Sequence, residues 1–301
     1  MTHARTPGRA PGIAPMKIAT WNVNGIRARA AQLCDWLARD QPDVVCLQEI
    51  KASPAQVPDA CKLDEYDAFW HGGGGYSGVS LHVRRGTFDA SPSFFHPAFD
   101  METRIVAADI GNLTIASVYV PNGGKDYAAK IGFLDNLAQW SRSVHERGRE
   151  LILCGDLNVA RTDIDVHPRE RKPGIIGQRP EERELFERLF DDHSLDVART
   201  LHPDDERMFT WWAPWRNMRQ RNIGWRIDYM VATKSIASRV TDCTVLADIG
   251  TSDHAPVMMT WPVARSSSPG DEDPSKAASA GQTPVAPAVP GQIPLSFRHT
   301  A

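Results

Sequence analysis

The sequence predicts an α/β protein whose β-sheets are covered by helices. Eight short apolar runs have the length of strands and are bounded by turn-forming residues. Three longer segments, with apolar residues at helical spacing, lie between these runs at irregular intervals, and no internal repeat is present. This irregular interleaving of strands and helices is typical of sheets that pack against helices.

The apolar runs and the periodic segments give the bounds of the expected elements. The predicted strands cover residues 17–21, 43–48, 78–83, 104–110, 113–120, 151–154, 226–231 and 256–261. The predicted helices cover residues 30–39, 128–146 and 180–191. The last helix has Pro180 in its first turn, where proline is tolerated, and Leu185, Phe186 and Leu189 share one of its faces. The glycine-rich segment 71–78 lacks the Gly-Lys-Ser/Thr ending of a phosphate-binding loop, and we expect a tight connection that another backbone segment approaches.

Composition divides the chain of 301 residues into one folded body and two tails. Residues 1–15 and 264–301 are rich in Pro, Gly, Ser and Ala, and they lack apolar periodicity. We therefore expect a disordered leader and a disordered tail around a catalytic domain at residues 16–263. With 42% hydrophobic residues overall, the chain can build a large core.

Net charge argues weakly against a nucleic-acid partner for the body as a whole. The leader holds two arginines and the tail holds three basic and three acidic residues, so 29 of the 34 basic and 34 of the 37 acidic residues lie in the body. Positive charge is nevertheless concentrated at residues 216–226, which contain four arginines and no acid. Trp211, Trp212, Trp215 and Trp225 interleave with these charges. A solvated loop is one interpretation, and a surface for phosphates and unstacked bases or sugars is the other.

The cysteines and the hydropathy pattern indicate a cytoplasmic protein. The five cysteines are scattered without a CxxC pair or a disulfide-like spacing, as expected in a reducing compartment. No apolar run approaches the length needed to cross a membrane, and the N-terminus does not have the pattern of a signal peptide.

The strand predicted at residues 151–154 leads directly into a polar pair, Asp156 and Asn158. Because successive strand residues alternate between faces, these two side chains should lie on one side of the chain. An Asx turn explains the pair about equally well when the segment is taken alone.

Other predicted strands also end in, or contain, polar residues. The set comprises Asn22, Glu49, Tyr119 with Asn122, Asp228, and Asp253 with His254. A carboxylate within an apolar strand is costly unless it is paired or bound to a metal ion. A single site at which these residues converge would explain all of the placements.

Carboxylate and carboxamide oxygens are hard ligands, so such a site would suit Mg²⁺ or Mn²⁺ better than zinc. With a bound cation the site could hydrolyse a phosphodiester. Asp156 could act as the base, Asn158 and His254 could stabilise the phosphoryl group, and Tyr119 could donate a proton or a hydrogen bond. Asp228 would orient and charge His254.

Seven motifs together resemble the exonuclease III type of abasic-site endonuclease, within the endonuclease/exonuclease/phosphatase superfamily. The motifs are TWNVNGIR at 20–27, LQEIK at 47–51, YSGV at 76–79, YVPN at 119–122, GDLN at 155–158, GWRIDY at 224–229 and SDHAP at 252–256. They follow one another in order from about residue 16 to residue 261, so only the tails fall outside the resemblance.

The resemblance implies a four-layered α/β sandwich in which two packed mixed β-sheets are flanked by helices. It implies Mg²⁺-dependent cleavage of duplex DNA on the 5′ side of abasic sites, with 3′-to-5′ exonuclease and 3′-end-trimming activity. By motif position, Glu49 is the main metal ligand, with Asn22 and Asp253 close by. A second metal position would be formed by Asp156, Asn158 and His254.

The same resemblance assigns DNA contacts. Trp211, Trp215 and Trp225 match positions that line a pocket for a flipped-out abasic sugar. Further contacts expected by position are Lys51, Arg104, Asn122, Lys125 and Arg221. The expected partner is duplex DNA with abasic or 3′-blocked sites, and we expect a monomeric, bacterial-type enzyme. Two alternatives stay open: a phosphoesterase of the same superfamily acting on inositol phosphates, lipids or RNA, and a non-catalytic DNA-binding relative.

Overall fold

The computed structural model describes residues 14–190 and 193–263. The strands are β1 (Ala14–Asn22), β2 (Val44–Gln48), β3 (Tyr66–His71), β4 (Val79–Arg84), β5 (Ser93–Phe95), β6 (Ile105–Ile110), β7 (Leu113–Tyr119), β8 (Glu150–Asp156), β9 (Ser194–Asp196), β10 (Asp228–Thr233), β11 (Asp242–Val245) and β12 (Val257–Val263). The α-helices are α1 (Ile26–Asp40), α2 (Tyr127–Glu146), α3 (Pro180–Glu187), α4 (Val197–Leu201) and α5 (Lys234–Ala237). Short 3₁₀ turns lie at Pro54–Gln56, Asp59–Cys61, Asp163–Asp165 and Pro168–Glu170.

The strands form two mixed sheets of six strands each. The first has the order β11-β12-β1-β2-β4-β3, and the second has the order β5-β6-β7-β8-β10-β9. Each sheet contains one parallel pair, β1 with β2 and β7 with β8, and the remaining pairs are antiparallel. The parallel pair lies at the centre of each sheet. The two strands of a pair run in the same direction, so their carboxyl ends and the polar residues there lie side by side.

Three apolar clusters build four layers. Between the sheets, residues such as Ile18 and Cys46 of the first sheet pack with Ile115 and Met230 of the second. Leu33 and Trp36 of α1 cover the outer face of the first sheet. The outer face of the second sheet is covered by apolar residues of α2 and α3, among them Phe133, Leu137 and Phe186. The predicted four-layered sandwich is thereby confirmed.

All eight predicted strands are present, and each observed strand lies within a few residues of its predicted bounds. The four strands that the sequence did not predict are β3, β5, β9 and β11, which are the four edge strands of the two sheets. Edge strands pair on one side only, and three of these four expose part of their side chains. Their sequences therefore lack the continuous apolar run that marks the interior strands.

Two helix bounds differ from the prediction. Helix α1 begins at Ile26 rather than at residue 30, because the Ile26 side chain is buried and its amide N–H donates to the carbonyl of Ile50 at 3.0 Å. Helix α3 ends at Glu187, because the amides of Arg188 and Leu189 donate to carbonyls three residues back. The last residue of the predicted helix, 191, lies outside the described part of the chain.

The glycine-rich segment makes the predicted close approach to another backbone segment. A Cβ atom on Gly72 would lie 2.2 Å from the carbonyl oxygen of Ala52. Gly78 has a φ of +88°, and a Cβ atom there would lie 2.6 Å from the Ile50 side chain. The segment that follows β2 can therefore pack directly on this loop only because these positions lack side chains.

The predicted leader and tail fall mainly on residues outside the described ranges. Ala14 and Pro15, assigned to the leader, are the first residues of β1 and pair with Val263 and Pro262 of β12. Within residues 14–190 and 193–263, no helix combines the length and the apolar character needed to cross a membrane.

Candidate active site

Strand register brings three polar side chains together at one end of the second sheet. Tyr119 at the end of β7 lies opposite Asp156 of β8, and Asp156 in turn lies opposite Asp228 of β10. Gly155 permits this arrangement, because its φ is +148° and a Cβ atom there would lie 1.9 Å from the carbonyl oxygen of Val118. The backbones of β7 and β8 could not approach this closely with a larger residue.

The first sheet contributes Asn22 and Glu49 from the ends of β1 and β2. The Asn22 side-chain amide donates to Glu49 Oε1 at 3.0 Å and to Asp156 Oδ2 at 2.9 Å. Asn22 thus links carboxylates that come from different sheets. Both of these bonds use its nitrogen, and its oxygen accepts from the Asn24 amide at 3.0 Å.

His254 lies between two carboxylates. Its Nδ1 is 2.9 Å from Asp228 Oδ2, and its Nε2 is 3.8 Å from Asp156 Oδ2. Burial disfavours the charged imidazolium, but the carboxylates of Asp228 and Asp156 outweigh burial and raise the pKa of His254 to about 10. The imidazole is therefore a cation at neutral pH.

At Asp156, by contrast, the surroundings disfavour the charged form of the side chain. Burial raises the pKa of Asp156 to about 8, and the charges of Asp228 and Glu49 act in the same direction while His254 acts against them. Its oxygens also accept hydrogen bonds from the backbone amide and the side-chain amide of Asn158, at 3.0 and 3.2 Å. A carboxyl group with a pKa close to neutrality suits proton transfer near neutral pH.

Glu49 and Tyr119 complete the acidic side of the site. Burial acts to raise the pKa of Glu49, but hydrogen bonds from Asn22 and Lys51 hold that pKa below its usual value. The Lys51 ammonium lies 2.7 Å from Glu49 Oε2. Burial and the nearby carboxylates of Glu49 and Asp156 raise the pKa of Tyr119 far above its usual value. Tyr119 is consequently a neutral hydrogen-bond donor.

Asp253 stands apart from this acidic group. Its Oδ1 accepts a hydrogen bond from the Asn24 side chain at 2.8 Å, and its Oδ2 accepts one from Trp211 Nε1 at 3.0 Å. Lys51 also donates to Asn24 at 2.6 Å. Asp253 therefore fixes the Trp211 ring, whereas Glu49, Asp156 and His254 form the group whose ligand atoms all lie within 4.8 Å of one another.

These side chains surround a cavity of about 350 Å³. Its lining combines polar side chains, among them Glu49, Tyr119, Asp156, Asn158 and His254, with the apolar side chains of Ile176, Trp211, Trp225 and Ile227. The two tryptophan rings meet edge to face with their centroids 5.7 Å apart. A larger cavity of about 710 Å³ lies beside Met208 and Cys243, and none of the converging strand-end residues lines it.

The predicted DNA contacts divide into two groups. Asn122, Trp211 and Trp225 line the cavity. Trp215 does not line it: its side chain is 59% exposed on the loop that follows Trp212. The other positions do not line the cavity either. Arg104 lies 4.7 Å from the Tyr119 ring centroid, Lys125 lies 5.7 Å from the Tyr76 ring centroid, and Arg221 donates to the Arg216 carbonyl.

Some arginines of the segment 216–226 are held inside the protein and do not contribute to a positive surface. The Arg226 side chain is buried and donates to Asp165 at 2.7 Å and to Asp196 at 2.7 and 3.0 Å. Arg219 donates to the carbonyls of Ala247, Ile249 and Ser252. Within the segment, Arg216 and Arg221 are the arginines left on the exposed side, so composition alone overstated the positive surface.

The donor set fits a hard divalent cation. Three buried or half-buried carboxylates, Glu49, Asp156 and Asp228, face one histidine, and Asp228 Oδ1 is buried without a hydrogen-bond partner in the described structure. Carboxylate oxygens at this density are suited to Mg²⁺ or Mn²⁺. Added positive charge would relieve the repulsion that raises the pKa of Asp156.

Some of the residues with a strained backbone lie at this site. Asn24, Glu49, Lys51 and Asn158 all have φ between +45° and +51°, in the left-handed region that non-glycine residues seldom adopt. Such residues persist only where surrounding contacts hold them, and they cluster at functional sites. Sequence reasoning gave no role to Asn24, Ile176 or Ile227, although Asn24 and Ile227 lie within the motifs at 20–27 and 224–229.

Comparisons with known proteins agree with this geometry. Residues 19–254 match the protein family described as the Endonuclease/Exonuclease/phosphatase family. The chain is 32% identical to an exodeoxyribonuclease of Bacillus subtilis, over 80% of this chain and 98% of that protein. It is 32% identical to the DNA repair nuclease APEX1 of Danio rerio, over 84% of this chain and 83% of that protein. An AP endonuclease from Archaeoglobus fulgidus superposes with a TM-score of 0.73 at 28% identity, covering 82% of this chain and all of that one.

Proposed function

The chain belongs to the endonuclease/exonuclease/phosphatase family, and we propose that it is a DNA-repair phosphodiesterase that cleaves duplex DNA on the 5′ side of abasic sites. We propose that it also has 3′-to-5′ exonuclease and 3′-end-trimming activity. The relatives named as a DNA repair nuclease, an exodeoxyribonuclease and an AP endonuclease support the DNA-repair, exonuclease and abasic-site endonuclease parts of this proposal.

One observation carries the proposal: the acidic cluster and an apolar, tryptophan-lined wall share a single cavity. The acidic side offers groups for phosphodiester hydrolysis. The apolar side, formed by Trp211, Trp225 and Ile227, offers a surface for a sugar that has lost its base.

The side chains of the cavity can be given roles in hydrolysis. His254, charged and held by Asp228, would bind a phosphoryl oxygen, and Asn158 would contact the same group. Tyr119, which stays protonated, would donate a hydrogen bond near the phosphate or the leaving oxygen. Asp156 would take a proton from the attacking water or return one to the leaving group.

The divalent cation would be held on the acidic side of the cavity. Glu49 is the proposed main ligand, with Asn22 and Asp253 close by, and Asp156, Asn158 and His254 are the alternative set. When bound, Mg²⁺ or Mn²⁺ would supply positive charge that polarises the phosphoryl group and neutralises developing negative charge. The choice of Mg²⁺ over Mn²⁺ is part of the proposal.

DNA would lie across the mouth of the cavity. Lys51, Arg104, Lys125 and Arg221 are the proposed basic contacts, of which Lys51 is paired with Glu49 and Arg104 is buried and paired with Glu102. Exposed Trp215 would contact the duplex beside the site rather than the flipped sugar. We further propose that residues 16–263 are the catalytic domain, that the enzyme acts as a monomer, and that it works on DNA in the bacterial cytosol.

A cleavage assay tests the proposal. One labelled duplex carries a single abasic analogue, and a second, undamaged duplex carries a recessed 3′ end. We expect incision 5′ to the analogue with Mg²⁺ and none with EDTA. Glu49→Gln should require a higher Mg²⁺ concentration, whereas Glu65→Gln, at an exposed glutamate immediately before β3, should not.

The rate at which the undamaged duplex is shortened from its 3′ end would measure the exonuclease activity relative to incision at the abasic analogue. Absence of cleavage of both duplexes by the wild-type protein would contradict the proposal. Turnover of an inositol phosphate or a phospholipid by the same preparation would then indicate the phosphoesterase alternative.

A further inference from the structure

A buried ion pair lies directly behind the candidate active site. Lys130 projects from α2, and its Nζ donates to the carbonyl oxygen of Asn158 at 2.8 Å and to that of Asn122 at 3.5 Å. The same Nζ lies 2.9 Å from Oε1 of Glu182 on α3, and neither side chain has any exposed surface. Both carbonyls belong to residues that line the cavity.

Glu182 extends this connection to a third segment of the cavity wall. Its other carboxylate oxygen accepts hydrogen bonds from the amides of Gly177 and Arg179. The carbonyl of Gly177 accepts in turn from the Ala160 amide at 2.8 Å. The pair therefore joins α2 and α3 to the loops that carry Asn122, Asn158 and Ile176.

Two of these contacts involve residues whose backbone conformation is restrained by the neighbouring structure. Asn158 has a φ of +51°, which is unfavourable for a residue with a side chain. Gly177 has a φ of +92°, and a Cβ atom there would lie 2.9 Å from the Trp225 ring and 3.3 Å from the Asn158 carbonyl oxygen. A small shift of either loop would change the distance between the polar and the apolar sides of the cavity.

Stability alone is a poor explanation for the pair. Taking two charges out of water is so costly that apolar residues of similar volume often stabilise a protein equally well or better. The Lys130 donors point at backbone carbonyls, so Lys130 does not itself face the cavity. What the ammonium supplies, and an apolar side chain cannot, is a directed bond to the Asn158 carbonyl.

We propose that Lys130 and Glu182 are positioning residues for phosphodiester hydrolysis. Lys130 holds the peptide of Asn158 in its left-handed conformation, and this orients the Asn158 carboxamide toward the phosphate. Glu182 holds the Gly177 segment at the distance from Trp225 that leaves the sugar pocket open. This inference rests on the proposed function of the cavity.

The kinetic test replaces the pair by a neutral one of similar volume, Lys130→Met/Glu182→Gln. We expect kcat on the abasic duplex to fall by about 10- to 100-fold, the effect of a small misplacement of a reacting group. KM should change by less than about threefold, because the DNA surface is untouched. The control Asp135→Asn/Arg188→Met removes an exposed ion pair between α2 and the residue that follows α3, and it should leave kcat unchanged.

A double-mutant cycle asks whether the effect passes through Asn158. In an Asn158→Ala background, the further loss of kcat from Lys130→Met/Glu182→Gln should be smaller than in the wild-type background, because only the part that Glu182 exerts through the Gly177 segment remains. An undiminished loss in that background would overturn the proposal, as would an unchanged kcat in the folded variant. If the methionine variant does not fold, Lys130→Gln/Glu182→Gln, which keeps a donor at position 130, takes its place with a smaller expected loss.

A structural readout separates this inference from the proposed function. A crystal structure of the variant should show Asn158 out of the left-handed region or its carboxamide turned away from Val120, whose carbonyl it now contacts at 2.9 Å. If the wild type fails to cleave the abasic duplex, the proposed function is wrong, and the crystal structure still decides the positioning role. Unchanged Asn158 and Gly177 conformations in the variant would overturn it.

Discussion

Two buried clusters of charged residues lie close together in this protein, and they are balanced differently. In the first, Arg226 donates to Asp165 and makes two hydrogen bonds to Asp196, and Arg199 donates to Asp165 at 2.7 Å. Two guanidinium groups thus meet two carboxylates with good geometry. This cluster ties the short turn before α3 to β9 and to the start of β10.

In the second cluster, carboxylates exceed cations. Glu49, Asp156 and Asp228 face one imidazolium, that of His254, and one ammonium, that of Lys51. Burial, with the charges of Asp228 and Glu49 acting in the same direction, raises the pKa of Asp156, whereas the guanidinium of Arg226 overcomes burial and holds the pKa of Asp165 below its usual value. A balanced buried cluster supports the architecture, and an unbalanced one is poised to receive a cation and a phosphate.

The same substitution in each cluster should therefore have opposite consequences. We expect Asp156→Asn to lower kcat on an abasic duplex by about 10⁴-fold, because it removes a general base and a ligand together. Its thermal stability should be equal to that of the wild type or higher, because a carboxyl with a raised pKa is a strained charge in the fold. Steady-state cleavage and thermal unfolding measure the two effects.

Asp165→Asn should do the reverse. It leaves Arg226 and Arg199 without a full counter-charge, and breaking a buried pair in this way costs about 3 kcal/mol or more of unfolding free energy. Below its melting temperature, its kcat should stay within about threefold of the wild type, since no cavity residue is changed. Urea unfolding tests the stability loss. Asp40→Asn is the control, because its partner Arg39 is 61% exposed and such pairs contribute about 1 kcal/mol or less.

A smaller effect should appear in the pH dependence of stability in EDTA. Asp165 has a lowered pKa, so its contribution is present above the unfolded-state pKa of about 3.9 and is lost as the pH falls through the folded-state pKa. Asp156 has a pKa raised to about 8, so its contribution is present at acidic pH and is lost as the pH rises toward 8. Asp156→Asn should flatten the alkaline side of the stability profile and Asp165→Asn the acidic side. Equal slopes in all three proteins would contradict the assignment.

The interior strands of the two sheets could be predicted from the sequence, whereas the edge strands could not. Interior strands are buried on both faces and appear as apolar runs, whereas β3, β5, β9 and β11 pair on one side only and lack that pattern. The convergence of Asp156, Asp228 and Tyr119 could be anticipated because strand ends meet at one end of a sheet. Their exact register depends on Gly155, which the sequence marks only as a turn residue.

Charged residues were the hardest to place from sequence alone. Arg226 lies in a stretch that composition marks as a DNA surface, yet its side chain is buried against Asp165 and Asp196. Lys130 and Glu182 lie on amphipathic helices as ordinary surface charges would, and only the packing of α2 on α3 buries them. The local sequence shows that a residue is charged, but it does not show which residue, tens of positions away along the chain, will pair with it in the fold.

Mg²⁺-dependent stability is the most direct test of the unbalanced cluster, because it needs no assumption about the substrate. Free energies of unfolding would be measured at pH 7.5 over a range of Mg²⁺ concentrations, with EDTA as the reference. We expect the wild type to gain about 2.7 kcal/mol at a Mg²⁺ concentration 100 times the Kd. Glu49→Gln and Asp156→Asn should need higher Mg²⁺ for the same gain, and Asp165→Asn should respond as the wild type does. No Mg²⁺ response in the wild type, or the same response in Glu49→Gln, would contradict a cation site at this cluster.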